Sequence, residues 1–135
     1  MAVVDTSTYV SAVLPSDVNH RAAQAWLGHA LGAKERLLAP WILVAEVASA
    51  VARNTGDVNL AVHTVRTLTS TELVQLVLVG PALAQHAALI GAQHGIRGCD
   101  AIYVALAASL GDTLVTFDKQ QAARAAEVVA VYQPT

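Results

Sequence analysis

Four carboxylates carry the chemistry this sequence has to offer. Asp5 closes the stretch VVD, Asp118 closes TLVTFD, Asp100 opens a long apolar run and Glu46 lies inside another, LVAEVAS. Taken alone, Asp5 reads as a strand-end residue or a helix cap. Glu46 is harder to explain as structure, because its neighbours on nearly every side are apolar and an unpaired buried charge costs several kcal/mol, roughly. It needs a cation, a hydrogen-bond network or an exit to solvent. Arg53, seven residues on, is too far along a helix for a direct pair. If the fold gathers all four acids, their repulsion calls for a divalent cation. A set of oxygen donors suits Mg²⁺ or Mn²⁺, which keep several waters and share their coordination with phosphate oxygens. The chemistry such a site points to is metal-assisted phosphoryl transfer, in which the ion polarises the phosphate, lowers the pKa of a bound water and offsets developing charge. The five histidines, at 20, 29, 63, 86 and 94, show no zinc spacing, and Cys99 stands alone. Cys99 is expected to be a small buried residue beside the site. There is no phosphate-cradling glycine loop and no Gly-x-Ser-x-Gly elbow.

Elements that would position these acids follow from patterning. After Asp100, Ile102, Leu106 and Leu110 recur at helical spacing, with Ala105 and Ala108 on the same broad face. Leu110, Gly111 and Asp112 end that helix, and Thr113 to Phe117 form a β-branched and aromatic strand that places Asp118 on the rim beyond the strand ends. Upstream, Ala2 to Val4 read as a strand, and Thr6, Ser7 and Thr8 as a hydroxyl-rich turn capping a helix over Tyr9 to Leu14. Asp17 is expected to cap a second helix whose apolar face holds Val18, Ala22, Ala25, Trp26 and Leu31. Leu37 to Ala39 form the next strand, and Pro40 is placed at the start of the helix that carries Glu46. Asp57 caps a helix from Val58 to about Leu68. A strand over Leu73 to Val79 and a helix from Pro81 through Ala92 follow. After Asp118 come a short polar helix, Lys119 to Ala126, and a last strand, Val128 to Val131. Five short strands alternating with helices predict an α/β fold with a mainly parallel sheet covered on both faces, in a single domain over residues 1–135.

Composition sets limits on the partners. A hydrophobic content of 55% with 13% charged residues leaves little polar side chain to cover the surface, so a dimer or a partner interface is expected. A net charge of -2 argues against holding nucleic acid by bulk electrostatics alone. The longest uncharged stretch, Leu73 to Ile96, is broken by Gln, His, Pro and three Gly and does not read as a membrane span. No signal segment follows the first residues and one cysteine excludes an internal disulfide, so the expected location is the cytoplasm.

With these residues in place, VVDTSTYV, Glu46 within LLAPWILVAEVASAV, and GCDAIYVALAASLGDTLVTFD resemble, across the whole chain, the PIN domains. The resemblance is nearest to the VapC-type ribonuclease toxins of toxin–antitoxin pairs. It implies a three-layer α/β/α fold with a five-stranded parallel sheet, Mg²⁺- or Mn²⁺-dependent cleavage of RNA, and inhibition by a small cognate antitoxin. Asp5, Glu46, Asp100 and Asp118 fall on the family's acidic quartet, Thr116 on its hydroxyl position before the last acid, and Ser7 on the hydroxyl two residues after the first. Asp5 and Asp100, closely followed by Asp118, are the expected metal ligands, with Glu46 binding through water or orienting the nucleophile. Arg53, Arg97 and Lys119 flank the site and are candidates for the RNA backbone, against a plain reading as surface charges. Two other readings remain: a PIN-like interaction domain without catalysis, and a phosphatase of the haloacid dehalogenase type. The latter requires a second Asp where Ser7 stands.

Overall fold

The computed structural model describes all residues from 1 to 135. Its elements are β1 (Ala2–Val4), α1 (Thr6–Val13), α2 (His20–Gly32), β2 (Leu37–Pro40), α3 (Ile42–Thr55), α4 (Val58–Ser70), β3 (Val74–Val77), α5 (Pro81–His94), α6 (Gly98–Leu110), β4 (Thr113–Val115), α7 (Lys119–Ala125) and β5 (Val131–Tyr132). The sheet has the order β3-β2-β1-β4-β5, and every pair is parallel. The chain therefore runs outward from β1 to β3, then returns to lay β4 on the other side of β1. Right-handed crossovers put α1 to α4 on one face of the sheet and α5 with α6 on the other. The crevice between β1 and β4 is the switch point of this topology, where open parallel sheets place their sites.

Packing explains why α6 is the most apolar helix. Ala101, Tyr103, Val104, Ala105, Leu106 and Ala107 are all buried, because α6 lies on the central strands and is covered in turn by α5. The core continues through Val3, Leu43, Val47, Val51 and Leu114, each with no solvent exposure. The two outer faces differ from this centre, and there several expectations give way. On α2 the buried residues are Ala23 and Ala30, with Trp26 and Leu27 packed against the core; Val18 is 94% exposed and Leu31 46%. The buried stripe is thus rotated from the expected one, since Ala and Gly at nearly half of the positions leave its phase to tertiary contacts.

Corrections at the element ends have local causes. Asp17 does not cap α2: its Oδ1 accepts the Ser11 hydroxyl at 2.9 Å and the Asn19 amide at 2.8 Å, which closes the turn before the helix, and Asn19 occupies the N-cap. Pro40 ends β2, opposite Val77 of β3, and α3 begins after Trp41. Proline needs no donor there, because the strand stops. The hydroxyl turn after β1 is the first turn of α1 itself, capped by Asp5 through the Thr8 amide at 2.9 Å. β3 is shorter than expected, β4 ends at Val115, and β5 comprises Val131 and Tyr132, with Val128 and Val129 in the turn before it. Asp57 caps α4 as expected, its side chain accepting from the Leu60 amide at 3.0 Å. No helix is long and apolar enough to cross a membrane.

Candidate active site

Strand register builds the first half of the site. Val4 pairs with Val115, so the residues that follow them, Asp5 and Thr116, leave neighbouring strands side by side. Thr116 is fully buried and donates its hydroxyl to Asp5 Oδ2 at 2.5 Å. Ser7 donates to Asp5 Oδ1 at 2.7 Å and accepts the Phe117 amide at 2.9 Å, bridging the start of α1 to the end of β4. Asp5, only 3% exposed, thus receives three hydrogen bonds and keeps one acceptor position on Oδ2. Asp118 caps α7 through Oδ1, which takes the Gln120 and Gln121 amides at 2.9 and 3.0 Å, and its own amide donates to Thr116.

The other half comes from two helices on opposite faces that meet at this rim. Asp100 lies in the first turn of α6 and is held by Arg97 Nε at 3.3 Å. Glu46 finds a network rather than a cation: its Oε1 accepts the Tyr103 hydroxyl at 2.6 Å and the Thr6 hydroxyl at 3.0 Å. Tyr103 follows Asp100 by three residues, hence on the same side of α6. A common pattern results. In Glu46, Asp100 and Asp118 one carboxylate oxygen is held by donors of the protein, while Glu46 Oε2, Asp100 Oδ1 and Asp118 Oδ2 accept nothing.

Electrostatics fits a site short of positive charge. Burial pushes the Asp5 carboxyl above its ordinary value of 3.8, against the pull of its hydrogen bonds from Thr116, Thr8 and Ser7. Asp100 is also raised, first by burial, then opposed by Arg97 and reinforced by the charges of Glu46 and Asp118. That coupling shows that the acids of the two halves act on one another. Tyr103 is held far above a phenol's usual range by burial and by the Glu46 carboxylate it serves, so it remains a donor. Arg97 is the only cation paired with any of the four acids, and its side chain is 81% exposed. Arg53 is exposed and lines a groove of about 260 Å³ with Thr6, Ser49 and Glu46, while Lys119 is exposed beside Asp118. Cys99 is exposed, not buried, because the helix start at Gly98 turns it outward.

Three participants escaped the sequence reading. Along the sequence Thr6 falls in the hydroxyl-rich turn, Tyr103 in the apolar helix after Asp100, and Gln121 in the short polar helix. The spacing of Tyr103 from Asp100 was the one available signal. Gln121, 6% exposed, sits at 3.4 Å from the Thr116 hydroxyl with its Nε2 unpartnered. The single Thr116 proton already goes to Asp5, so a half-turn of the Gln121 amide makes it the donor to Thr116 and resolves the unpaired nitrogen.

The donor set fits a hard divalent cation. It consists of carboxylate and hydroxyl oxygens, and one of its members, Asp5, is a buried acid that no cation faces. No three of the acidic side chains converge closely enough to enclose an ion by themselves. A hard cation held there by one or two carboxylates would complete its shell with water.

Fold and acids together define a class. The sequence profile of the PIN domain matches residues 2–127, and the chain belongs to the PIN domain family. Among solved structures, it resembles VapC20 of Mycobacterium tuberculosis, a Sarcin-Ricin loop cleaving toxin, with a TM-score of 0.75 and 20% identity over 91% of this chain and 94% of that one. FitAcB from Neisseria gonorrhoeae aligns with a TM-score of 0.73 and 22% identity, covering 98% of this chain and 96% of its own. VapBC2 from Rickettsia felis, solved bound to a DNA fragment from its promoter, gives 0.72 at 12% identity over 99% and 98% of the two chains. No curated protein matches the chain significantly in sequence.

Proposed function

We propose that the protein is a divalent-metal-dependent endoribonuclease, the toxin of a type II toxin–antitoxin pair. The observation that carries this reading is the pattern of the acids: Glu46, Asp100 and Asp118 are each fixed through one oxygen by the protein and Asp5 through both, and all four retain an open acceptor position at the β1–β4 crevice. A set of acceptors poised in this way binds a cation and its waters without first breaking the bonds that hold it. Asp5 and Asp100 would be the primary ligands, with Asp118 the next candidate, and Glu46 would bind through water or orient the attacking water through Oε2. A bound Mg²⁺ or Mn²⁺ would supply Lewis acidity toward the phosphate and a water of lowered pKa. The chain's own part is positional. Ser7 and Thr116 hold the Asp5 carboxylate, Thr6 and Tyr103 hold Glu46, and Arg53, Arg97 and Lys119 offer charge to the RNA backbone. The test is cleavage of single-stranded RNA, structured RNA and DNA by the purified chain with Mg²⁺, Mn²⁺ or chelator. RNA cut only with metal is the expected result, and an inert protein under every condition would leave the interaction-domain reading in its place.

Tyr103→Phe isolates the outer support. The ring stays in the core while Glu46 loses its shortest hydrogen bond, so RNA cleavage should fall roughly 10- to 100-fold, as losses of such supporting partners do. Stability should drop by only about 1 kcal/mol. An unchanged rate in Tyr103→Phe would mean that Glu46 needs no such anchor.

The partner expected for this reading is a short antitoxin segment whose arginine reaches into the acids, since a guanidinium pairs well with carboxylates. Trp41, Val58, Val62, Leu78 and Leu89 are exposed apolar side chains available to a dimer or an antitoxin. Light scattering should show a dimer, and a monomer both free and in complex would count against it.

A further inference from the structure

Beside the acids runs a second groove, of about 280 Å³, whose walls include Ser7, Asp17, Asn19, Asn54, Phe117 and Asp118. Its lining is unusual in what it leaves unused. Phe117 is the only phenylalanine in the chain, is half-buried and yet lies outside the hydrophobic core. The Asn19 and Asn54 side-chain amides make no hydrogen bond within the protein, and Asp17 has Oδ1 doubly occupied but Oδ2 free. No lysine or arginine lines this groove, whereas the neighbouring one contains Arg53, and Thr6 is common to both. The two grooves therefore meet at the acidic rim with different chemistry: one suited to phosphate, the other to a neutral, flat group with hydrogen-bonding edges.

We propose that the groove lined by Phe117, Asn54, Asn19 and Asp17 is a nucleobase subsite, which seats one unpaired base of the RNA next to the phosphate held at the acids. The inference rests on the ribonuclease reading above. Single-stranded RNA is read by stacking of splayed bases on aromatic rings and by hydrogen bonds to their edges. Phe117 supplies the ring, directly after Thr116 and before Asp118, so the base lies next to the cleaved phosphodiester. The groove then follows α1 from Ser7 to Ser11, about one helical turn or roughly 5.4 Å, a length that holds one base and not a run of them. Asp17 Oδ2 only accepts, and the Asn54 and Asn19 amides both donate and accept. Bases with an exocyclic amino group, adenine, cytosine and guanine, therefore suit the groove better than uracil, whose single imino donor is flanked by two carbonyl acceptors that would face the carboxylate.

Fluorescence anisotropy with labelled octamers of adenine, cytosine and uracil ribonucleotides, in chelator to prevent turnover, tests the inference on wild type, Phe117→Leu and Asn54→Ala. Cleavage of a sequence-randomised single-stranded RNA in Mn²⁺, read by sequencing of the ends, is the second arm. The wild type should bind the adenine and cytosine octamers at least fivefold more tightly than uracil and show one nucleotide position of base preference beside the cut. Phe117→Leu should lose roughly five- to tenfold in affinity for all three, near the lower end of what one stacked base is worth. Asn54→Ala, an exposed change that leaves the fold intact, should reduce the preference itself. Binding and cleavage without any base preference, or a preference unchanged in both variants, overturns the subsite while the nuclease assignment stands. RNA neither bound nor cut overturns both.

Discussion

Asp5→Asn and Asp100→Asn should each lower metal-dependent RNA cleavage by at least about 10²-fold, more than the roughly 10- to 100-fold that loss of a supporting partner costs. The two substitutions keep side-chain shape and remove charge at different depths. At position 5 an amide oxygen can still accept from Ser7 and the Thr8 amide, which preserves the α1 cap. The amide nitrogen then meets Thr116, whose hydroxyl is free to turn toward Gln121 at 3.4 Å. At position 100 the only hydrogen-bond partner of the side chain is Arg97, itself exposed, so little structure depends on the charge. Circular dichroism should therefore show both variants folded. Full activity in either folded variant would remove the acids from the catalytic role.

The second large effect is thermal, and it has opposite signs with and without metal. Asp5 and Asp100 have carboxyls raised above their ordinary value by burial. A group raised in this way binds more protons folded than unfolded, so its contribution favours folding in acid and is lost as pH climbs from the unfolded value through the folded one. In chelator, the melting temperature of the wild type should decline over that window more than that of Asp100→Asn, which should melt a few degrees higher near neutral pH. Metal reverses the order. A cation bound only by the folded state adds roughly 2.7 kcal/mol at a hundredfold excess over its dissociation constant. At about 3–4 °C per kcal/mol for a chain of this size, that is roughly 8–11 °C. The rise should appear with Mn²⁺ or Mg²⁺ in the wild type and shrink in Asp100→Asn. Calorimetric melts of both proteins across pH, with chelator and with Mn²⁺, measure it. No metal shift in the wild type, together with a destabilised Asp100→Asn in chelator, would make Asp100 a structural residue of the α6 start.

Strand-and-helix alternation and the four candidate acids are legible along the chain. Apolar runs such as Ala2–Val4 and Leu37–Ala39 are too short for anything but buried parallel strands, and Asp5 and Asp57 stand where orphan helix amides need an acceptor. Local chemistry of that kind is written in neighbours along the chain. Tertiary structure decided what depends on register and on which faces meet. The pairing of Val4 with Val115 brings Thr116 to Asp5, across 111 residues of sequence. The meeting of α1, α3 and α6 at one rim turns Glu46 from an unexplained buried charge into the acceptor of Thr6 and Tyr103. The same contacts fixed the phase of α2, whose small residues carry too weak an apolar stripe to choose a face, and left Cys99 in solvent. Hydrogen bonds that join residues 40 to 111 positions apart leave no periodicity to read, because their cost and gain are set only when the sheet is complete.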